Sequence, residues 1–350
     1  MSAKLLVYGA NGFIGEHVAR AARAFGVPTV VAGRNAWKLR PLAAELNVEA
    51  RPFGLADPRR VAEGLEGIAV LLNCAGPFKH TAGPLADACL ATGVHYLDIT
   101  GEIPVFEALQ SKDAEAKAKG VMLMPGVGFD VVPTDCLALH LKRRLPEATR
   151  LRLGIQTIGP AGLPPGTQRT AIELLDYGDR VRRNGELIRP RQTSTISVDF
   201  GEGKVDVALV PLGDVFTAYH STGIPNIEDY LAAPPALRLV MAAGRLIAPW
   251  ARWAPVRNLL LMSIRPGPSP ELTARTRTHV WGEVVDDQGR RAAARLHGPE
   301  AGVVWTTATA LGAARKALGG LAPAGYQTPA SAYGPDFVLE TEGVTREDVA

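Results

Sequence analysis

The first 125 residues alternate short apolar runs with segments of helical periodicity. The run Leu5–Tyr8 is uniformly apolar, and apolar residues follow it at Val18, Ala19 and Ala22. Short apolar runs are typical of buried strands, whereas apolar residues at three- and four-residue spacing are typical of amphipathic helices. Repeated alternation of the two predicts an α/β domain over residues 1–130, with a doubly wound parallel sheet of about six strands.

The pattern changes beyond residue 130, where the apolar runs become longer and alternate with polar residues. Residues 151–158 and 204–211 are predicted strands, and Asp286–Gly289 separates two further strands as a hairpin turn. We therefore predict a second, α+β domain over residues 131–310, built on a mostly antiparallel sheet. Residues 311–350 are predicted to form a C-terminal segment that packs back on the first domain.

A glycine-rich turn joins the first predicted strand to the first predicted helix. Gly9, Gly12 and Gly15 are spaced three residues apart, directly after the apolar run. Such a turn aims backbone N–H groups and the positive end of a helix dipole at one point, which suits a diphosphate. This Rossmann-type turn predicts a dinucleotide site, with a purely structural glycine turn as the alternative. The candidate contacts are Gly9, Asn11, Gly12, Phe13, Ile14 and Gly15.

The end of the second predicted strand indicates which dinucleotide is bound. NAD-selective sites place a carboxylate there for the ribose hydroxyls, but this chain has Arg34. A guanidinium pairs with a 2′-phosphate, and Lys38 adds a second positive charge one helical turn later. NADP(H) is therefore predicted over NAD(H), with Gly33 and Asn35 as neighbouring contacts. The alternative is that Arg34 is a solvated loop cation.

Composition narrows the possible classes of function. The net charge of +3 and the lack of a basic arm or basic–aromatic stripe argue against nucleic-acid binding. The three cysteines form no CxxC pair and have no histidine at metal-binding spacing, so no metal site is predicted. An odd number of cysteines without a signal-peptide pattern predicts a cytoplasmic location.

Residues 237–264 form an unusually apolar stretch, although no run is long enough to predict a membrane-spanning helix. Tryptophans and leucines are interleaved there with arginines, at positions 238, 245, 252 and 257. This pattern is typical of an interfacial segment in peripheral contact with a membrane. It is equally typical of amphipathic helices that pack on a domain or a dimer partner. We expect a homodimer, and we leave both roles of the segment open.

Several motifs together resemble those of one enzyme family. They are Tyr8–Gly15, Ala32–Asn35, Asn73–Phe78, Tyr96–Glu102 and Gly126–Asp135, with Pro165–Thr167 and Tyr326–Ala330 in the second half. They resemble the saccharopine dehydrogenase-like oxidoreductases, which include trans-acting enoyl reductases. The resemblance implies a Rossmann domain, an α/β second domain and a nicotinamide cofactor. It also implies substrates that range from amino-acid imines to intermediates of lipid assembly.

The carboxyl ends of the later strands carry the remaining candidate cofactor contacts, because ligands of such sheets lie there. After the third strand, the resemblance implies a border to the adenine. The small-residue turn after the fourth strand lets the nicotinamide ribose approach, or is a tight turn only. After the fifth strand, Glu102 either lies beside the nicotinamide or caps the next helix. The candidate contacts are Ala56, Asp57, Cys74, Ala75, Gly76, Pro77, Thr100 and Gly101.

Three side chains are candidates for the chemistry at these strand ends. Asp130 follows the sixth strand and either orients a substrate or caps the helix that begins near Pro133. Tyr96 and His80 are candidate proton donors, with a solvated or structural role as the alternative for His80.

The residues and the resemblance together predict an NADP(H)-dependent oxidoreductase. The predicted reaction is hydride transfer from nicotinamide C4 to a C=C or C=N bond of a small lipid-like or amino-acid-derived substrate. The alternative is an NADP(H)-binding redox sensor or scaffold protein without turnover, which the scarcity of obvious acid–base residues would fit.

Overall fold

The computed structural model describes residues 3–173, 177–190, 194–232, 250 and 253–349. The chain folds into two compact units. The first comprises Met1–Asp130 with Val303–Ala332, and the second comprises Val131–Gly302 with Tyr333–Ala350. This division differs from the predicted one after residue 302, where the chain returns to the first unit and leaves it again at Tyr333.

The strands and helices are numbered in chain order. The strands are β1 (Leu5–Tyr8), β2 (Thr29–Gly33), β3 (Glu49–Pro52), β4 (Val70–Asn73), β5 (His95–Asp98), β6 (Met122–Met124), β7 (Arg150–Ile158), β8 (Val181–Arg183), β9 (Glu186–Ile188), β10 (Thr195–Asp199), β11 (Lys204–Leu209), β12 (Asn226–Ala232), β13 (Arg277–Val285), β14 (Arg291–Gly298), β15 (Gly325–Tyr326) and β16 (Thr345–Val349). The helices are α1 (Phe13–Ala24), α2 (Ala36–Leu46), α3 (Pro58–Gly64), α4 (Ala82–Thr92), α5 (Ile103–Gln110), α6 (Asp113–Lys119), α7 (Val132–Arg144), α8 (Pro165–Glu173), α9 (Asp214–Thr222), α10 (Ala254–Met262), α11 (Pro270–Ala274), α12 (Thr306–Leu318) and α13 (Pro329–Tyr333).

The first unit is built on a parallel sheet. Within the described residues its seven strands have the order β15-β6-β5-β4-β1-β2-β3. Strand β1 is buried along its full length and pairs with β2 on one side and β4 on the other. Helix α1 buries Val18, Ala19 and Ala22, the residues whose spacing predicts it. The predicted doubly wound parallel sheet is confirmed.

Two local features of the first unit differ from the sequence prediction. A seventh strand, β15, comes from far along the chain, and its Tyr326 N–H donates to the Asp113 carboxylate at 2.9 Å. The sequence over Pro104–Lys119 predicts a single helix, but the structure has two helices, α5 and α6, separated at Ser111 and Lys112. Helix α6 starts afresh with two acidic residues in its first turn, where the helix dipole favours them.

The second unit is built on a mixed sheet. Its strands have the order β10-β11-β12-β7-β13-β14-β16, with β8 against β12 and β9 against β8. Among the described residues, only β7 and β12 pair in parallel, so the predicted mostly antiparallel sheet is confirmed. Helix α7 packs against β13, β14 and α9. At the chain terminus, β16 pairs with β14 of this unit, and so Tyr333–Ala350 does not join the first unit as the sequence predicts.

The apolar segment at 237–264 lies partly outside the described residues, which exclude 233–249, 251 and 252. The described part contains Trp250, Trp253 and helix α10. No helix of the described chain is long and apolar enough to cross a membrane. The homodimer and the cytoplasmic location stay predictions.

Candidate functional site

The carboxyl ends of the central strands meet at one edge of the parallel sheet. The register aligns Tyr8 with Ala32 and with Asn73, and Asn73 with Asp98. The residues that follow these four positions therefore lie side by side. This edge brings together the predicted turns after β1, β2, β4 and β5, as in ligand sites of doubly wound sheets.

Gly9 holds the turn after β1 in place. Its N–H donates to the Ala32 carbonyl at 2.8 Å, and its φ of +80° is in the left-handed region. A Cβ on Gly9 would lie 2.8 Å from the Ala75 Cβ. The turns after β1 and β4 therefore touch each other, and a side chain at Gly9 would separate them.

Gly12 and Gly15 are needed for different reasons. A Cβ on Gly15 would overlap the carbonyl oxygen of Gly9 and lie 2.8 Å from its carbonyl carbon, so Gly15 lets α1 press against the turn. A Cβ on Gly12 would meet only the Gly9 oxygen, at 3.1 Å, within 4 Å among the described atoms. Gly12 is the N-cap of α1, and no side chain caps this helix. Its first N–H groups, including those of Phe13 and Ile14, thus remain available to an anion.

The end of β2 is basic. The Asn11 amide oxygen lies over Gly33, 2.8 Å from where a Cβ would be. Arg34 and Lys38 are exposed, and neither makes an ion pair with a described residue. Burial raises the pKa of the nearby Tyr8 to about 12, and the positive charge of Arg34 partly opposes this shift. The side chain of Asn35 is already used, since it caps α2 by accepting from the Lys38 N–H at 3.3 Å.

The two predicted contacts after β3, Ala56 and Asp57, differ in whether the side chain is already bonded within the protein. Ala56 is exposed, whereas the Asp57 carboxylate caps α3 by accepting from the Arg59 N–H at 3.0 Å. Asp57 also lies 3.9 Å from the Arg60 guanidinium. The Asp57 side chain therefore has a structural role at the helix terminus.

The turn after β4 is organised by Asn73, which the sequence analysis missed. Its side-chain oxygen accepts from the Ala75 N–H at 2.9 Å, and its amide group donates to the hydroxyls of Thr81 at 3.0 Å and Tyr96 at 3.2 Å. Thr81 in turn donates to the Ala75 carbonyl at 2.7 Å. These bonds fix the small-residue turn Cys74–Pro77, whose last peptide bond is cis. Asn73 ends an otherwise apolar strand, and this polar residue in a buried run was the available signal.

Cys74 is not a nucleophile in this setting. Burial, together with the nearby Asp98 carboxylate, raises the pKa of its thiol to about 12. The thiol is therefore protonated at neutral pH, and only a thiolate would be reactive.

Tyr96 and Asp98 form a buried network beneath the sheet edge. The Tyr96 hydroxyl donates to Asp98 at 2.8 Å, and the N–H groups of Thr100 and Gly126 donate to the other carboxylate oxygen at 2.9 and 3.0 Å. Burial raises the pKa of Asp98 to about 7, although these hydrogen bonds oppose the shift. Tyr96 is completely buried, and its pKa is well above 10. The burial of the hydroxyl and its bond to Asp98 argue for a structural role, and the role of Tyr96 as a proton donor stays a prediction.

Glu102 does not have the helix-capping role that the sequence left open, and its place beside the nicotinamide stays a prediction. It occupies the N-cap position of α5, but its side chain does not cap that helix. Its two carboxylate oxygens instead accept from the N–H groups of Phe78 and Lys79, at 2.8 and 2.9 Å. Thr100 accepts from the Glu102 N–H at 3.0 Å and is itself buried. Glu102 thus ties the turn after β5 to the one after β4.

Asp130 is a carboxyl group of this site that has no hydrogen-bonding partner among the described residues. It packs over Gly101, where a Cβ would lie 3.0 Å from its Oδ2 atom. It makes no side-chain hydrogen bond to a described residue, and α7 has Val131 at its N-cap with no side-chain cap, so the predicted capping alternative is not observed. Asp130 remains partly exposed, while burial of its carboxyl raises its pKa to about 6.

Residues of Val303–Ala332, where the chain returns to the first unit, support the backbone next to Asp130. The Phe129 N–H donates to the Thr306 hydroxyl at 3.2 Å, and the Phe129 ring lies 5.1 Å from that of Trp305. No local signal connects positions so far apart in the sequence. His80, by contrast, lies exposed in a short 3₁₀ turn over Phe78–His80, and its role as a proton donor stays a prediction. No group of three potential metal ligands occurs among the described residues.

Comparison with known proteins identifies the first unit. Residues 5–124 match the family model of the saccharopine dehydrogenase NADP binding domain. This match confirms the resemblance and the predicted NADP(H) cofactor. The matched residues run from the first residue of β1 to the last residue of β6.

Two curated relatives and one solved structure give the wider similarity. The human saccharopine dehydrogenase-like oxidoreductase is 31% identical over 214 residues, 53% of this chain and 49% of that protein. The trans-acting enoyl reductase of Mycobacterium leprae is 33% identical over 153 residues, 41% of this chain and 36% of that protein. The chain thus spans half or less of the length of these relatives. Saccharopine dehydrogenase from Saccharomyces cerevisiae has the same fold over the full length of both chains, with a TM-score of 0.64 and 12% identity.

Proposed function

We propose that this chain is an NADP(H)-dependent oxidoreductase, because residues 5–124 match the family model of the saccharopine dehydrogenase NADP binding domain. The proposed reaction reduces a C=C or C=N bond of a lipid-like or amino-acid-derived substrate. One observation carries the proposal: three features lie at the same edge of the parallel sheet. They are the N-terminus of α1, which no described side chain caps, the cations Arg34 and Lys38, which have no acidic partner among the described residues, and the Asp130 carboxyl group.

The glycine turn suits the cofactor diphosphate. The N-terminus of α1 offers N–H groups and the positive end of its dipole, and Gly12 has no side chain to fill the space in front of them. The open approach at Gly12 contrasts with the closed contacts at Gly9 and Gly15. Gly12 therefore serves the ligand, and the other two glycines serve the fold.

The basic end of β2 suits the 2′-phosphate that distinguishes NADP(H) from NAD(H). Arg34 and Lys38 are exposed, and neither is neutralised by an acid of the described structure. A charge-assisted hydrogen bond contributes about 1.5–3 kcal/mol. The pair would thus favour NADPH over NADH by about tenfold to a hundredfold or more.

Asp130 is the proposed proton source. When bound, the nicotinamide supplies the hydride, and the protein must then supply a proton to the other atom of the reduced bond. With a pKa of about 6, the Asp130 carboxyl carries a proton in a useful fraction of molecules near neutral pH. Its lack of a protein partner leaves both oxygens available to a substrate.

The binding part of the proposal is tested by measuring dissociation constants for NADPH and NADH. We expect Arg34→Asp to reduce the preference for NADPH at least tenfold. Arg40→Asp is the matched control, because Arg40 is an exposed cation of the same helix region and its substitution changes the net charge equally. An unchanged preference in Arg34→Asp would show that another group recognises the 2′-phosphate.

The catalytic part is tested by following NADPH oxidation with a set of enoyl thioesters and amino-acid imines. We expect turnover with one of the two classes and its loss in Gly12→Val. Tight NADPH binding without turnover of any substrate would instead support the redox sensor or scaffold function.

A further inference from the structure

Large apolar side chains are exposed on one stretch of the second unit. Trp250 and Trp253 are each 63% exposed, Leu259 is 69% exposed and Met262 is 83% exposed. We call these four residues the 250–262 patch. Exposed apolar residues scattered singly need no explanation, but four of them within residues 250–262 point to an interaction surface.

The patch is held by a defined local structure. The Trp253 N–H donates to the Trp250 carbonyl at 2.9 Å, and this bond holds the backbone of the two tryptophans together directly before α10. Helix α10 packs against α8, and Gln168 of α8 bonds both the N–H and the carbonyl of Arg265, at 2.9 and 3.1 Å. Leu259 and Met262 are three residues apart and therefore share the exposed face of α10.

The charged residues in the sequence around the patch are all positive. No aspartate or glutamate occurs between Asp229 and Glu271, whereas arginines occur at positions 238, 245, 252, 257 and 265. Arg257 and Arg265 are exposed, and neither makes an ion pair with a described residue. These arginines therefore lack a counter-charge from the described part of the chain.

We propose that the 250–262 patch binds the surface of an anionic phospholipid bilayer. Tryptophan rings reside at the headgroup level of a bilayer, where one side is apolar and the other is wet. Leu259 and Met262 would enter the boundary between headgroups and acyl chains, and Arg257 and Arg265 would lie against lipid phosphates. The surface does not span the bilayer, and its binding does not depend on the oxidoreductase reaction.

The charge pattern favours a lipid surface over a second copy of this chain. A two-fold dimer would place the patch against itself, because its interface uses the same surface of both copies. Arg257 and Arg265 would then lie close to the same two arginines of the second copy, and the sequence between Asp229 and Glu271 has no acid to separate them. Anionic headgroups would supply the missing counter-charge for Arg257 and Arg265, which flank the patch.

Co-sedimentation of the full chain with vesicles tests the proposal. We expect binding to vesicles of phosphatidylglycerol and phosphatidylcholine, at least tenfold weaker binding to phosphatidylcholine alone, and weaker binding as salt is raised. The double variant Leu259→Asp with Met262→Asp should reduce binding to the anionic vesicles at least tenfold. Leu321→Asp is the matched control, because Leu321 is 58% exposed on the first unit.

The same variants separate the possible outcomes. Because all substituted residues are exposed, we expect their thermal midpoints to match that of the unmodified chain. Equal binding to neutral and anionic vesicles would overturn the role of the arginines. If no vesicle is bound, and sedimentation velocity shows a dimer that the double variant dissociates, the patch is a contact between copies and the proposal is wrong.

Discussion

At the scale of single residues, two carboxyl groups of the first unit have raised pKa values but different surroundings. Asp98 has a pKa of about 7 and accepts hydrogen bonds from Tyr96, Thr100 and Gly126. Asp130 has a pKa of about 6 and no hydrogen-bonding partner among the described residues. A carboxyl that is fully bonded by its own protein stabilises a turn, whereas an unbonded one can bond a ligand. This difference assigns Asp98 to the fold and makes Asp130 the candidate for chemistry.

The role of Asp130 predicts a pH profile. Its carboxyl is mostly protonated below pH 6 and loses about tenfold in protonated fraction for each pH unit well above it. We therefore expect the rate of substrate reduction to fall between pH 6 and pH 8. Asp130→Asn should lower the rate by about a hundredfold, a typical general-acid contribution, and flatten this dependence. Glu66→Gln, at an exposed acid, is the control. A profile in Asp130→Asn that still falls over this range would assign the proton to another group.

Tyr96 provides the opposite prediction. Tyr96→Phe removes the bond to Asp98 and the bond from Asn73, and leaves buried polar atoms unpaired. We expect a loss of about 1–3 kcal/mol in the free energy of unfolding, measured with urea, because such atoms cost their full desolvation. The turnover number should change less than twofold at a temperature where the variant is folded. Normal stability with a large loss of turnover would restore Tyr96 as a proton donor.

Residue types at the strand ends were predictable from the sequence, but the directions of their side chains were not. Gly9, Gly12 and Gly15 follow from the need for a tight turn, an open approach and close helix packing. The contacts of the Glu102 side chain do not follow from the sequence, because a place beside the nicotinamide and a helix cap were both compatible with its position before α5. Its true partners, the N–H groups of Phe78 and Lys79, lie on a different turn, and the spacing of residues in one segment does not show which other segment it meets.

At the scale of elements, the glycines of the turn between β1 and α1 have two different roles: one is needed for folding and another for binding. Gly15 contacts the backbone of Gly9 so closely that no Cβ fits. Gly12 faces open space apart from one oxygen at 3.1 Å. Two glycines of one motif are thus predicted to fail in different ways when substituted.

Alanine substitutions test this difference. Gly15→Ala should destabilise the protein by about 1–3 kcal/mol or more, because the overlap is with backbone that cannot rotate away. Gly12→Ala should change stability by less than about 1 kcal/mol yet weaken NADPH binding at least tenfold. Gly83→Ala is the control, since a Cβ there meets nothing within 4 Å, and it should slightly stabilise α4. Calorimetry and urea unfolding provide the two measurements. Equal stability of the two site variants would contradict the assignment.

Elements with a strong local pattern were predictable, and those that depend on distant partners were not. The strands β1 and β4 and helix α1 have apolar patterns that identify them. Strand β15 has only two residues, and it exists because Gly325 and Tyr326 pair with Met122 and Leu123. A segment this short has no periodicity of its own, so its place in the sheet is decided by tertiary packing.

At the scale of the whole molecule, the first unit is completed by Val303–Ala332, the second pass of the chain through this unit. Helix α12 packs against α1 and β4, and β15 extends the sheet beyond β6. Phe129 is held by Trp305 and Thr306, next to Asp130. The family model ends at residue 124, so the cofactor domain recognised by sequence is smaller than the unit that folds around it.

This organisation predicts that residues 1–130 alone are not an independent cofactor domain. Without Val303–Ala332 the fragment would expose Phe129 and the faces of α1 and β4 that α12 covers, and it would lack β15. We expect it to unfold without a cooperative transition and to bind NADPH weakly. Joining residues 1–130 to 303–332 through a short glycine–serine linker should restore both properties, because Phe129 and Thr306 are already hydrogen-bonded at the junction. Urea unfolding and NADPH titration of the two fragments provide the comparison. A cooperative, NADPH-binding fragment of residues 1–130 would show that the second pass is dispensable to the fold.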